Sequence, residues 1–148
     1  MIKRFAVRLM PWSEAQPLAR PVRNSVFVEE QGVPRELEWD EWDARSEHAV
    51  AFDARGGAIG TARLLPDGHI GRMAVLAQWR GRGVGSALLD ALLGLAKAKA
   101  MPSVRLNAQT HAAGFYRRFG FAAAGAEFVE AGIPHVEMTL TLAPLPEA

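Results

Sequence analysis

Gln78–Ala100 reads QWRGRGVGSALLDALLGLAKAKA. Gly81, Gly83 and Gly85 stand at every second position, beside Arg80 and Arg82, and lead into a leucine-rich run. Val84, Leu88, Leu92 and Leu95 recur at helical spacing, which predicts a helix from Val84 to Ala98. Lys97 and Lys99 sit at its end, where cations favour the helix dipole. Met101-Pro102 stops it.

The glycines join a predicted strand to that helix. The first helical turn leaves backbone N–H groups unpaired and partly positive, and phosphate binds well there. Glycines keep side chains off a ligand and permit positive φ. Arg80 and Arg82 supply forked donors for phosphate oxygens. The stretch from Arg80 through Gly81, Arg82, Gly83, Val84 and Gly85 to Ser86 therefore reads as a seat for a diphosphate. A P-loop is excluded, because no Gly-Lys-Ser/Thr follows. The dinucleotide fingerprint fails twice. Ser86 occupies its last glycine position, and Arg105-Leu106-Asn107 stand where its ribose-binding acid belongs, about 20 residues on. Ser86 is followed by Ala87-Leu88, not by the pattern of a hydrolase elbow. A turn that only allows close strand–helix packing is the plain alternative.

Working outward, Phe5–Met10 alternates apolar and basic residues and reads as a strand. Ser13 is a candidate helix cap, but Pro17 and Pro21 predict a break, with a continuous helix from Val22 to Gln31 that Gly32 ends. Val33–Glu47 reads as a polar, acidic connection. HAVAFDA and AIGTARLL form a predicted hairpin around Arg55-Gly56-Gly57, and HIGRMAV is the next strand. After the long helix come the strand SVRLNAQ, the short helix AAGFYRRF with Gly120 at its end, and two strands, EFVEAG and HVEMTLTL. The tail Ala143–Ala148 is expected to be loose. The order β-α-β-β-β-α-β-α-β-β predicts a mixed α/β sheet with helices packed on it.

The chain of 148 residues is 49% apolar, enough for one domain with a single core. Lys+Arg 17 against Asp+Glu 16 disfavours a general nucleic-acid or polybasic membrane role. The absence of cysteine removes disulfides, thiolate metal sites and a cysteinyl intermediate. The N-terminus lacks the apolar run of a signal peptide, and no run approaches membrane-spanning length. These features predict a soluble, cytoplasmic protein. The four histidines are scattered, with no helical pair, so no metal site is expected.

RMAVLAQWRGRGVGSALL resembles the acetyl-CoA motif of the GCN5-related N-acetyltransferases (GNAT), a strand followed by Arg/Gln-x-x-Gly-x-Gly/Ala. Arg80, Gly83 and Gly85 fill that pattern. NAQTHAAGFYRRFGF resembles the second motif of the family, and the element order and spacing agree. VFVEEQGVP and AGIPHVEM are similar to the ElaA-type subgroup. The resemblance implies a mostly antiparallel sheet with a splayed parallel strand pair and flanking helices. It implies one GNAT domain over residues 1–148, with a core at about 5–142.

For the site, it implies that the pantetheine arm of acetyl-CoA lies along Met73, Ala74 and Val75, with Asn107 bonding it from the second strand. An N–H near Val75 would face the thioester carbonyl. The diphosphate would meet the amides of Arg80 to Ser86. Ala113 and Tyr116 would border the thiol end, and Arg118 would lie near the adenine or the 3′-phosphate. Tyr116, the only tyrosine, takes the position of the general acid in the family. Relatives carry a glutamate base on the strand before the glycine loop, but His69–Met73 has no carboxylate. Glu30, His111, His135 or a water relay are the candidates.

The expected reaction is direct transfer of the acetyl group to an amine of a small molecule or peptide, without metal, nucleic acid or membrane. A homodimer follows family habit. A non-catalytic acyl-CoA-binding or sensing module and a different nucleotide-diphosphate binder are the competing readings. Glu36, Glu38, Asp40, Glu41 and Asp43 would attract a cationic amine or form a solvated acidic loop. Trp39 and Trp42 would wall a pocket or anchor that loop, while Trp79 is expected to pack.

Overall fold

The computed structural model describes residues 4–38 and 40–142, so the expectations for Trp39 and for the tail Ala143–Ala148 lie outside the described residues. Strand β1 (Phe5–Pro11) leads into helix α1 (Trp12–Arg23), which continues as a π-helical segment, Asn24–Glu30. Helix α2 (Arg35–Glu38) and a 3-10 turn (Glu41–Arg45) precede β2 (Glu47–Asp53), β3 (Ala58–Leu64) and β4 (His69–Val75). A 3-10 turn, Ala77–Trp79, leads to α3 (Val84–Ala98) and β5 (Ser103–Gln109). A further 3-10 turn (Thr110–Ala112), α4 (Ala113–Arg117), β6 (Ala122–Ala123), β7 (Phe128–Glu130) and β8 (Ile133–Thr141) follow.

The strands form one sheet in the order β1-β2-β3-β4-β5-β8-β6, with β7 also on β8. Every pairing is antiparallel except β4 with β5. This is the mixed, mostly antiparallel sheet that the sequence predicts. Helix α3 covers one face and buries Val84, Leu88, Leu89, Leu92, Leu93 and Ala96. Leu95, expected in that stripe, is only partly buried. A leucine fully buried in such a stripe contributes about 1.5–3 kcal/mol. Helix α1 covers the other face, where Val22 and Val26 cluster with Ala74 of β4.

Two local expectations are corrected. Helix α1 starts at Trp12 behind Pro11 with no side-chain cap, so Ser13 does not cap it. Nor do Pro17 and Pro21 break it. They lie four residues apart on its exposed face, and the carbonyls they leave unpaired belong to exposed Ser13 and Pro17, where water can reach them. The opposite face buries Ala15, Ala19, Val22 and Arg23, and this packing holds the helix together. The two-residue strand β6 went unforeseen; it is too short to carry a pattern.

The parallel pair opens almost at once. Only His69 with Arg105 and Ile70 with Leu106 are paired. On its other side, β4 has three steps between Ala74 and Gly71 against two on β3 between Thr61 and Arg63. The extra residue is a bulge at Arg72, whose φ is +49°. A bulge bends and twists its strand, and here it turns β4 away from β5.

Candidate functional site

The glycine loop closes the wide end of that gap. Leu76 N–H bonds back to the Ile59 carbonyl at 2.9 Å, and the loop then rises to α3. Gly81 has φ +76° and Gly83, the N-cap of α3, has φ +87°. Both need the left-handed conformation that glycine adopts without penalty. Gly85 lies within α3 and has no positive φ. A Cβ there would rest 3.6 Å from the Phe115 ring, an ordinary contact. So the expectation of positive φ holds for two glycines of the three.

No side chain caps α3. Its first backbone bond runs from Ala87 N–H to the Gly83 carbonyl at 3.0 Å, so the N–H groups of Val84, Gly85 and Ser86 lie ahead of the intrahelical ladder. An anion fits a backbone end of this kind. The Arg82 guanidinium sits over the Trp79 ring at 5.2 Å, and Trp79 packs against the core. Arg80 turns the other way. Its Nε donates to the Val75 carbonyl at 3.0 Å, and its two Nη atoms donate to Glu30 at 2.9 and 2.7 Å.

Met73, Ala74 and Val75 line the open side of β4, with Ala74 fully buried. Asn107 is half-buried on β5, opposite Glu137 of β8. Ala113 is buried at the start of α4, and Arg118 is exposed just past its end. The Tyr116 hydroxyl donates to the Met73 thioether sulfur at 3.7 Å, a long contact with a weak acceptor. The Tyr116 ring meets Phe115 and Phe121 edge-on. Burial pushes the phenol up to about 12.

The candidate bases sit differently from one another. Both Glu30 oxygens accept from Arg80. His111 is exposed, and its Nε2 donates to Gln109 Oε1 at 2.7 Å, which leaves Nδ1 as the lone-pair nitrogen of the neutral ring. His135 is buried, donates from Nδ1 to the Ile133 carbonyl at 2.7 Å and stacks on Phe128.

The acidic run behaves as neither reading of it predicts. Arg23 binds Glu38 through Nε and Asp43 through Nη1 at 2.8 Å. Arg63 binds Asp40 at 2.6 and 2.7 Å and Asp43 at 2.9 Å. Arg72, at the bulge, reaches Asp40 at 3.2 Å and the carbonyls of Leu37 and Glu38 at 3.3 Å. Three arginines thus neutralise three acids, and the network fastens α2 and the 3-10 turn onto β3 and β4. Glu36 and Glu41 stay exposed. Trp42 is 38% exposed, under the Arg45 guanidinium at 5.4 Å. Sequence reasoning missed the network. The available signal was an arginine inside each of two mostly apolar strands, AIGTARLL and HIGRMAV, which demands a buried partner.

A mixed sheet with one splayed parallel pair, a glycine turn opening a helix at the mouth of the splay, and a partly buried tyrosine beside it make up the N-acyltransferase class of fold. The model of the acetyltransferase (GNAT) domain family matches residues 15–142, and the chain belongs to that family. It is 40% identical over 121 residues to an uncharacterized N-acetyltransferase of Bacillus subtilis, YjcF, covering 79% of this chain and 86% of that one. Among solved structures it is similar to ElaA of Escherichia coli, with TM-score 0.80, 28% identity, and 90% and 98% of the two chains covered. An acyl-CoA N-acyltransferase of Pseudomonas aeruginosa is similar at TM-score 0.81 and 28% identity, with 91% and 98% covered. Among the described residues no helix is long and apolar enough to cross a membrane.

Proposed function

We propose that the protein is an acetyl-CoA-dependent N-acetyltransferase that moves the acetyl group directly to a primary amine of a small molecule or peptide. The uncapped N-terminus of α3 at the mouth of the β4–β5 splay carries this reading, since it offers a diphosphate unpaired N–H groups beside an open groove. The unit is proposed as one domain with its core at about residues 5–142.

The co-substrate supplies the acetyl thioester, and the residues of this chain fit it. Amides of Arg80, Gly81, Arg82, Gly83, Val84, Gly85 and Ser86 would hold the diphosphate, with the Arg82 guanidinium beside them. The backbone of Met73, Ala74 and Val75 and the side chain of Asn107 would hold the arm, and the N–H near Val75 would meet the developing oxyanion. Ala113 would leave room at the thiol end, and Arg118 would attract the 3′-phosphate. The amine nitrogen bonds to the thioester carbon, the carbon–sulfur bond breaks, and Tyr116 gives its proton to the leaving sulfur. Its raised proton affinity keeps the phenol protonated at neutral pH, ready to donate to the developing thiolate. Glu30 is tied to Arg80, so His111 Nδ1, reached through water, is the better acceptor for the amine proton.

Calorimetric titration with acetyl-CoA, CoA and ATP tests this reading, with Arg82→Ala alongside. Selective CoA binding that weakens in the variant, followed by acetyl transfer to a panel of amines, is expected. Failure of CoA to bind at millimolar concentration would sink it. Tight binding without turnover would instead favour a sensing module.

A further inference from the structure

The helical segment after α1 ends on two adjacent polar residues that reach opposite sides of the gap. Glu30 holds Arg80, and the same arginine grips the carbonyl of Val75, the last residue of β4. Gln31 holds Gln109, the last residue of β5: Gln109 Nε2 donates to Gln31 Oε1 at 2.9 Å, and Gln31 Nε2 donates back at 3.4 Å. These strand ends lie beyond the two paired residues of the parallel ladder. The turn that spans them is itself fixed. Gln31 N–H bonds to the Val26 carbonyl at 3.1 Å, Val33 N–H bonds to the Phe27 carbonyl at 2.8 Å, and Gly32 turns the chain at φ +72°.

We propose that Glu30 and Gln31 form a clasp that fixes the spacing of β4 and β5 and so holds the groove for the pantetheine arm at its working width. Arg80 is then a positioning residue. Its Nε and both its Nη atoms bond to the protein, and the side-chain charge for the diphosphate falls to Arg82. The inference rests on the coenzyme A reading above. Each strand end is laddered on its outer side, Val75 with Gly60 and Gln109 with His135, but neither is paired with the other, so the gap between them can vary. A ligand that pairs with them must take up that entropy unless it is removed beforehand. One anchor would tie only one edge of the gap, so the clasp needs both.

The sign of one substitution separates this role from its rival. If Arg80 were a diphosphate ligand, Glu30→Gln would free it and remove a negative charge near the phosphates, and CoA would bind more tightly. A clasp gives the opposite sign. CoA affinity is measured by calorimetry for the parent, Glu30→Gln, Arg80→Met, the double variant and Arg82→Ala, with melting curves to show that each is folded. Both single variants are expected to weaken CoA two- to fivefold, the range open to an exposed ion pair. The double variant should be no weaker than the worse single, because both break one link. Tighter binding by Glu30→Gln, or additive losses, would overturn the clasp. Amide exchange without ligand gives a second readout. Val75 should exchange faster in Glu30→Gln, and unchanged exchange would equally overturn it. If the parent binds no CoA while exchange does respond, the clasp stands and the co-substrate reading fails.

Discussion

The Tyr116 hydroxyl donates to the Met73 sulfur across 3.7 Å, and so joins the short helix after β5 to the bulged strand β4. The two residues lie 43 positions apart, and their contact crosses the region where the parallel ladder has ended. A proton donor thereby stands over the strand proposed to hold the thioester.

Replacing Tyr116 by Phe removes that donor with little change in volume. General acids typically contribute about 10²–10⁴-fold, so kcat for acetyl transfer should fall at least about 100-fold. CoA affinity should stay within about twofold, because the hydroxyl is proposed to act on the leaving sulfur. Equal losses in affinity and turnover would argue for a packing role.

As the only tyrosine, Tyr116 can be titrated directly by phenolate absorbance. The folded protein should ionise near 12, against about 10 once unfolded. The folded state therefore binds the extra proton between those values. Stability falls as pH rises from about 10 to about 12, and Tyr116→Phe should remove that part of the alkaline loss.

Arg23 is 2% exposed and binds two acids that are themselves buried. Arg23→Met leaves Glu38 and Asp43 without that partner, and should cost about 3–5 kcal/mol in denaturant unfolding. Glu36→Gln and Glu41→Gln, at exposed positions, should stay within about 0.5 kcal/mol.

Acid should loosen the same region. The Asp40 carboxyl is held below its ordinary 3.8; burial alone would raise it, but the Arg63 hydrogen bond and charge, Arg72 and the Trp42 N–H outweigh that. Its stabilisation is present above 3.8 and is lost as pH falls below that value. His48 is held below 6.5, chiefly by burial, so it folds neutral and its contribution fades as pH falls through 6.5. Unfolding midpoints that decline from neutral to about pH 3, with a shallower acid limb in Asp40→Asn, are expected. An unchanged limb would count against the network.

Gly83→Ala must place a Cβ at φ +87° and should cost about 1–2 kcal/mol, with loss of CoA binding. Gly85→Ala meets only an ordinary contact with Phe115 and sits in a helix, so the free protein should tolerate it. Thermal melts of both variants check the contrast.

The amino-acid sequence by itself determined every strand but β6, the long helix and the glycine turn. Each is written in local signals: alternation in HAVAFDA, the four-residue apolar step of α3, and glycines where φ turns positive. The two motifs around Arg72–Phe121 carried the family. Only the tertiary structure decided the rest. Pro17 and Pro21 read as breaks, because the packing that holds α1 together comes from β2 and β3, far along the chain. Glu38, Asp40 and Asp43 read as a lure for a cationic amine or a solvated loop, because their partners Arg23, Arg63 and Arg72 lie on three other elements. Glu30 and Arg80 each read as a group free to act, yet they occupy one another across 50 residues. Charges find their partners through space, and a chain read in order carries no record of that distance.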